Sequence, residues 1–190
     1  MALRFGIDID GTVTDPSTLI PYINKKFDKN ITLTDITQYD LSDALNIPPN
    51  AFAEWFKKEE PVIYKESPLA ENAKTVLSQW KEMFELYFIS ARPKHLSLLT
   101  EQWFTEQDID FHHIELIGSH NKVETAREHN VHLFLEDKHD NAVMLHEELQ
   151  IPVLLFDTPY NQEPIPEGVV RVKNWIEADQ WVQAWALSLK

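Results

Sequence analysis

Phe5-Gly6-Ile7-Asp8-Ile9-Asp10-Gly11-Thr12-Val13-Thr14 is the stretch from which the rest of this chain can be read. Leu3 to Ile9 is an apolar run of the length of a buried strand, and it stops at a polar edge. Two carboxylates stand one residue apart at that edge, followed by Gly-Thr. In extended backbone the side chains at i and i+2 leave on the same side, so Asp8 and Asp10 start on one face. Gly11 permits the sharp turn that a strand end needs. Two carboxylates this close repel each other unless something positive sits between or beside them, most simply a hard divalent cation. One Asp as a nucleophile and the other as an acid/base would suit phosphoryl transfer. Asp-Gly also marks ordinary turns, so the later strand ends have to test this reading.

The composition narrows the field. At 190 residues the chain is expected to form one domain with room for a modest insertion, and an apolar fraction of 43% with six Trp supplies a packed core. The absence of Cys removes disulfides, thiolate chemistry and Cys-based metal sites together. A formal charge of −14 sets net repulsion against any nucleic-acid polymer, while leaving room for a small phosphate ester beside a metal and local cations. No signal pattern opens the chain and no apolar run reaches membrane-spanning length, so a cytoplasmic protein without a membrane partner is expected.

Beyond Thr14 the pattern becomes helical. Leu19, Ile20, Ile23 and Phe27 recur at helical spacing, and Phe52, Trp55 and Phe56 do so in a segment for which Asn50 is the candidate N-cap. Thr32 to Asn46 looks like short helices and turns, and no strand is expected between 15 and 67. From Leu69 onward helices and strands alternate, with strands expected at 84–89, 114–117, 131–135, 152–156 and 169–172. Alternation of this kind predicts an α/β fold, a Rossmann-like parallel sheet with helices on both faces. The expected division is a core of 1–14 plus 68–190, with 15–67 as a small helical cap inserted after the first strand. The last helix carries Trp175, Trp181 and Trp185 and is open to two readings, core or the surface of a homodimer.

In parallel sheets ligands lie outside the carboxyl ends of the strands, so the residues just after each strand carry the information. The second strand ends in Ser90-Ala91-Arg92, where a hydroxyl and the following N–H groups can cradle a phosphate. After the third comes Lys122, a cation where the helix dipole favours anions, and so a candidate for neutralising a bound anion. The fourth ends in Glu136-Asp137, acidic residues against an apolar strand, for which a metal shared with Asp8 supplies a reason. The eight His scatter and form no H-E-x-x-H pair, which argues against a zinc enzyme. His95 and His139 fall near the expected crevice.

D-x-D-G-T, a Ser, a Lys and an acidic pair, each after its own strand, resemble the four motifs of the haloacid dehalogenase-like superfamily over the whole chain. The helical insertion and the strand end Phe88-Ile89-Ser90-Ala91-Arg92 look like the 5′(3′)-deoxyribonucleotidase family and its bacterial nucleotidase relatives. The resemblance implies a magnesium-dependent phosphomonoester hydrolase working through an aspartyl-phosphate. In it Asp8 is the nucleophile and Asp10 the acid/base. Mg2+ is held by Asp8, Asp10 (through its carbonyl) and Asp137, with Glu136 accepting from the metal's waters. Gly11, Thr12, Ser90, Ala91, Lys122 and Arg92 are the implied phosphate-side contacts, and Trp55, Tyr22 and Phe56 are candidates to stack on a nucleoside monophosphate. Glu136-Asp137 departs from the family's pair of Asp, and Ser90-Ala91-Arg92 departs from its Thr-Ser-Pro-like residues, which bears on substrate preference. A phosphatase of another small phosphomonoester, a phosphomutase, and a non-catalytic phosphate-ligand-binding domain are the alternatives.

Overall fold

The computed structural model describes residues 2–189, and its elements follow one another as the alternation predicts. Strand β1 (Arg4–Ile7) is followed by three helices, α1 (Ile20–Phe27), α2 (Leu41–Ala44) and α3 (Pro49–Glu66). Then come α4 (Ala73–Lys81), β2 (Glu85–Ser90), α5 (Ser97–Glu106), β3 (His113–Leu116) and α6 (Val123–Glu128). The chain closes with β4 (Leu133–Glu136), α7 (His139–Leu149), β5 (Val153–Phe156), β6 (Val169–Val172) and α8 (Trp175–Ser188). All strand pairs are parallel, in the order β3-β2-β1-β4-β5-β6.

The central strands are largely apolar because both faces of the sheet are covered, whereas the edge strands β3 and β6 carry His113, Glu115 and Arg171. Successive residues of β4 show it: Leu133 and Leu135 join the larger core with Trp80, Trp103 and Trp175, while Phe134 joins the smaller one with Ala142 and Leu145. Each of those three Trp rings is fully buried and each indole N–H is satisfied. Trp80 donates to Asp179, Trp103 to the Ser67 carbonyl, and Trp175 to the Thr12 carbonyl at 3.0 Å. The last of these ties α8 to the loop after β1. Trp181 and Trp185 pack partly buried on the same core, so the Trp residues of α8 serve the core of this chain.

β1 sits between β2 and β4, where the strand order reverses, which in open α/β sheets is the place for a ligand crevice. The chain leaves β1 and returns to α4 at one place. Thr14 bridges Leu69, and Ala70 N–H donates to the Val13 carbonyl. Everything between is helical or irregular, with a small core of its own around Ile23, Trp55 and Ile63, and a second cluster in which Ile20 and Ile36 pack with Tyr160 from the loop between β5 and β6. Helix α3 starts one residue before the expected Asn50 cap, with Pro49 at its first position. A proline there forfeits nothing, since the first-turn N–H groups have no helical partner.

Candidate active site

The ends of β1 and β4 bring together Asp8, Glu136 and Asp137, all three buried, each with an oxygen within 4.8 Å of the others. Adjacent parallel strands make this possible: Ile7 pairs with Leu135, and the Asp8 N–H donates to the Leu135 carbonyl at 2.9 Å. Lys122, at the start of α6, reaches under them. Its buried Nζ lies 2.6 Å from Asp8 Oδ1 and 2.8 Å from Glu136 Oε2. Burial opposes the ammonium charge, but Asp8 and Glu136 outweigh it and hold the lysine protonated. Burial also pushes the Asp8 carboxyl up to about 7, against the pull of Lys122 and with help from Glu136 and Asp10. Asp137 is pushed up too, by burial first and then by Asp8 and Glu136.

One lysine leaves this trio of carboxylates short of positive charge. Glu136 is already spoken for, since Oε2 takes Lys122 and Oε1 accepts from the Lys138 N–H and from Asn141. Asp137 Oδ2 accepts the Tyr160 hydroxyl at 2.6 Å, whereas its Oδ1 is buried with no hydrogen-bond partner. A buried carboxylate oxygen without a partner is costly. An oxygen-only donor set of this charge fits a hard divalent cation, for which Asp8 and Asp137 are the side chains free to serve. Gly11 allows the loop to pass this close. It sits at φ +80°, and a Cβ there would overlap the Asp137 carboxylate.

Asp10 is held separately. Arg92 grips it with two bonds, Nε to Oδ2 at 2.9 Å and Nη2 to Oδ1 at 2.7 Å. The guanidinium is buried, lies 4.1 Å from the centre of the Tyr64 ring, and donates its remaining Nη1 to Thr100 Oγ1. Asp10 itself remains 40% exposed. The sequence reading has Arg92 as a phosphate contact; the fold turns it onto Asp10 instead. Ser90 Oγ accepts the Arg92 N–H at 3.1 Å, which leaves the serine's own proton to donate.

Above these groups lies a cavity of about 950 Å³ roofed by the helical insertion. Asp8, Asp10, Gly11, Ala91, Arg92 and Asp137 reach its surface, while Thr12, Ser90 and Lys122 lie buried and outside its lining. Thr12 Oγ1 is a second buried atom without a partner. Of the three aromatic candidates only Phe56 lines the cavity, together with Phe52, Tyr39 and Tyr64. Trp55 faces away, 7% exposed, edge-on to Phe27 and Phe52 in the insertion's core. Tyr22 is outside the lining as well. Its hydroxyl donates to Glu66 at 2.6 Å, and partial burial with that neighbour pushes its pKa up to about 12. His95 and His139 also lie outside it, near Glu60 and on the Pro164 carbonyl. His120, Lys138 and Tyr160 do line it and carried no sequence signal, being ordinary residues of loops and helix starts.

The family described as "5' nucleotidase, deoxy (Pyrimidine), cytosolic type C protein" matches residues 2–187. The chain belongs to that family. It is 50% identical over 182 residues to a Halalkalibacterium halodurans protein, BH1399, whose nucleotidase name is provisional, covering 96% of this chain and 93% of that protein. A conserved haloacid dehalogenase-like protein of unknown function from Agrobacterium tumefaciens str. C58 shares the fold, with a TM-score of 0.68 at 10% identity over 98% of this chain and 100% of that one. So does YfnB of Bacillus subtilis, whose crystal structure is described as bound to magnesium and as revealing interdomain movement. Its TM-score is 0.64 at 10% identity, over 96% and 99% of the two chains. A nucleotidase family on this fold makes the chain a hydrolase of phosphomonoesters. Among the described residues no helix is long and apolar enough to cross a membrane.

Proposed function

We propose that this chain hydrolyses nucleoside monophosphates through an aspartyl-phosphate on Asp8, with magnesium held by Asp8, Asp137 and the Asp10 carbonyl. The observation that carries it is the floor of the cavity. There the Asp8 carboxylate is clamped by Lys122 beside an unpartnered Asp137 oxygen. Asp8 attacks phosphorus and the ester P–O bond breaks, while Asp10 gives its proton to the departing nucleoside oxygen. A water that Asp10 then deprotonates attacks the same phosphorus, releasing phosphate and regenerating Asp8. When bound, the cation would offset the negative charge of Asp8 and of the phosphoryl oxygens.

Lys122 and the Ser90 hydroxyl supply the fixed donors for the transferring group. Pre-placed donors of this kind act without reorganising during the reaction. Residues 15–67 are the cap, and Phe52, Phe56 and Tyr39 offer apolar faces against which a base can lie. A cavity of about 950 Å³ is in the range that encloses ligands of nucleotide size. The test is magnesium-dependent phosphate release from a panel of 5′- and 3′-(deoxy)nucleoside monophosphates, sugar phosphates and an aryl phosphate, with Asp8→Asn as the blank. Turnover concentrated on nucleotides and absent from Asp8→Asn is the expected result. Turnover confined to sugar phosphates would refute the substrate, and full activity in Asp8→Asn would refute the chemistry.

A further inference from the structure

At the other end of the sheet, beside the first residues of β1 and β2, three side chains converge outside the machinery described above. His113 and Glu115 are two apart on β3 and so share a face, and His129 follows the end of α6. His113 Nε2 lies 3.3 Å and His129 Nε2 2.9 Å from the same atom, Glu115 Oε2. The three ligand atoms all fall within 4.8 Å of one another, and the imidazole centroids are 4.6 Å apart. Tyr87, paired with His113 across the sheet, backs both rings at 5.8 and 5.0 Å. Arg4 donates to the His129 carbonyl and fixes that residue from behind, its own charge paired with Glu85 at 2.9 Å.

From this geometry we infer a second metal site, formed by His113, Glu115 and His129, for a divalent transition ion such as zinc. Two imidazoles and a carboxylate are the donor set such ions prefer, unlike the oxygen-only cluster at Asp8. Metal–ligand bonds of about 2.0–2.1 Å with tetrahedral angles separate neighbouring ligand atoms by about 3.3 Å. The two N–O spacings here, 2.9 and 3.3 Å, are close to that edge, and with the third spacing within 4.8 Å side-chain rotation suffices to admit an ion. Other imidazoles near the sheet are committed elsewhere. His112 Nδ1 accepts the Leu86 N–H and His132 Nδ1 the Arg4 N–H. All three proposed ligands are half-buried, leaving the fourth position open to water. The ion would clip β3, an edge strand, to the end of the helix that starts beside Lys122.

The test uses the full chain, stripped of metal and then kept in excess magnesium. Zinc is titrated against a chromophoric chelator, and imidazole 1H–15N spectra are followed alongside. One zinc equivalent is expected, kept by Asp137→Asn and weakened at least tenfold by His113→Gln, by Glu115→Gln and by His129→Gln. Zinc should also raise Tm in the parent and not in His129→Gln, and the His113 and His129 Nε2 signals should shift before those of the other six His. Equal zinc affinity in parent and His129→Gln, or first shifts at other imidazoles, would overturn the site. The spectra of the unmodified protein decide the matter even if a variant folds poorly.

Discussion

Replacing Arg92 with Met separates positioning from binding at this site. The change removes both bonds to Asp10, at 2.9 and 2.7 Å, and the donation to Thr100. Asp10 is 40% exposed, so water can take up its charge. Met also fills part of the space beside Tyr64 and Trp103 that the guanidinium occupied. Removing one partner of a buried ion pair costs ~3–5 kcal/mol when the other charge is stranded, and the exposure of Asp10 reduces that, so stability should fall by ~1–3 kcal/mol. Catalysis should respond as well. General acid–base catalysis is worth ~10²–10⁴-fold, and it depends on the carboxyl pointing at the leaving oxygen. Freeing Asp10 to rotate should cost part of that, about 10–100-fold in kcat, or about 1.4–2.7 kcal/mol in the barrier. KM should change little, because Arg92 is spent on Asp10. The assay compares a nucleoside monophosphate, whose leaving oxygen needs a proton, with p-nitrophenyl phosphate, whose leaving group does not. The loss should be larger on the nucleotide. A raised KM with kcat intact would mean that Arg92 meets the phosphate directly, and this reasoning would fall.

Further outcomes can be checked in parallel. Asp8, with its carboxyl raised to about 7, and Asp137, also raised, hold protons in the folded protein at pH values where the unfolded chain has released them. Stability without divalent cations should therefore fall as pH rises from about 4 to 7. Magnesium should flatten that slope, and a Tm series in chelator with and without magnesium reads it; a slope of opposite sign would contradict the buried-carboxylate account. Tyr160→Phe removes the 2.6 Å bond to Asp137 and should raise the magnesium concentration for half-maximal activity several-fold, and it should lower Tm in chelator because a second buried Asp137 oxygen loses its partner. Phe56→Ala should raise nucleotide KM, whereas Trp55→Ala should leave KM alone and cost stability, about 3–5 kcal/mol at worst for a buried Trp. If Trp55→Ala is the one that moves KM, the cavity wall has been misread. Gly11→Ala should lose both activity and stability, since it strains a residue at φ +80° and pushes on Asp137.

Much of this was legible along the chain. Periodicity and turn residues are local properties, so strands, helices and the helical insertion could be read with boundaries off by a residue or two. Asp8, Ser90, Lys122 and Asp137 could be singled out because each lies at the carboxyl end of a strand or in the connection that leaves it, and strand ends of a parallel sheet converge. What lay beyond the sequence was which side chains meet across the fold. That Asp137 shares a site with Asp8 was expected from the motifs, but the adjacency of β4 and β1 that brings the two together depends on the strand order β3-β2-β1-β4-β5-β6. Arg92 turns to Asp10, 82 residues away, because Tyr64 and Trp103 wall it in on its other sides. Trp55 and Phe56 are neighbours in sequence, about 100° apart around α3, with ring centroids 6.3 Å apart, yet only Phe56 reaches the cavity, and the rotation of that helix is set by packing. Tyr160 arrives from the loop between β5 and β6, and the pairing of His113 with His129 depends on α6 ending beside β3. Local pattern dictates the elements because it acts through neighbours in the chain; the site's partners are chosen by long-range packing, which only the folded chain carries out.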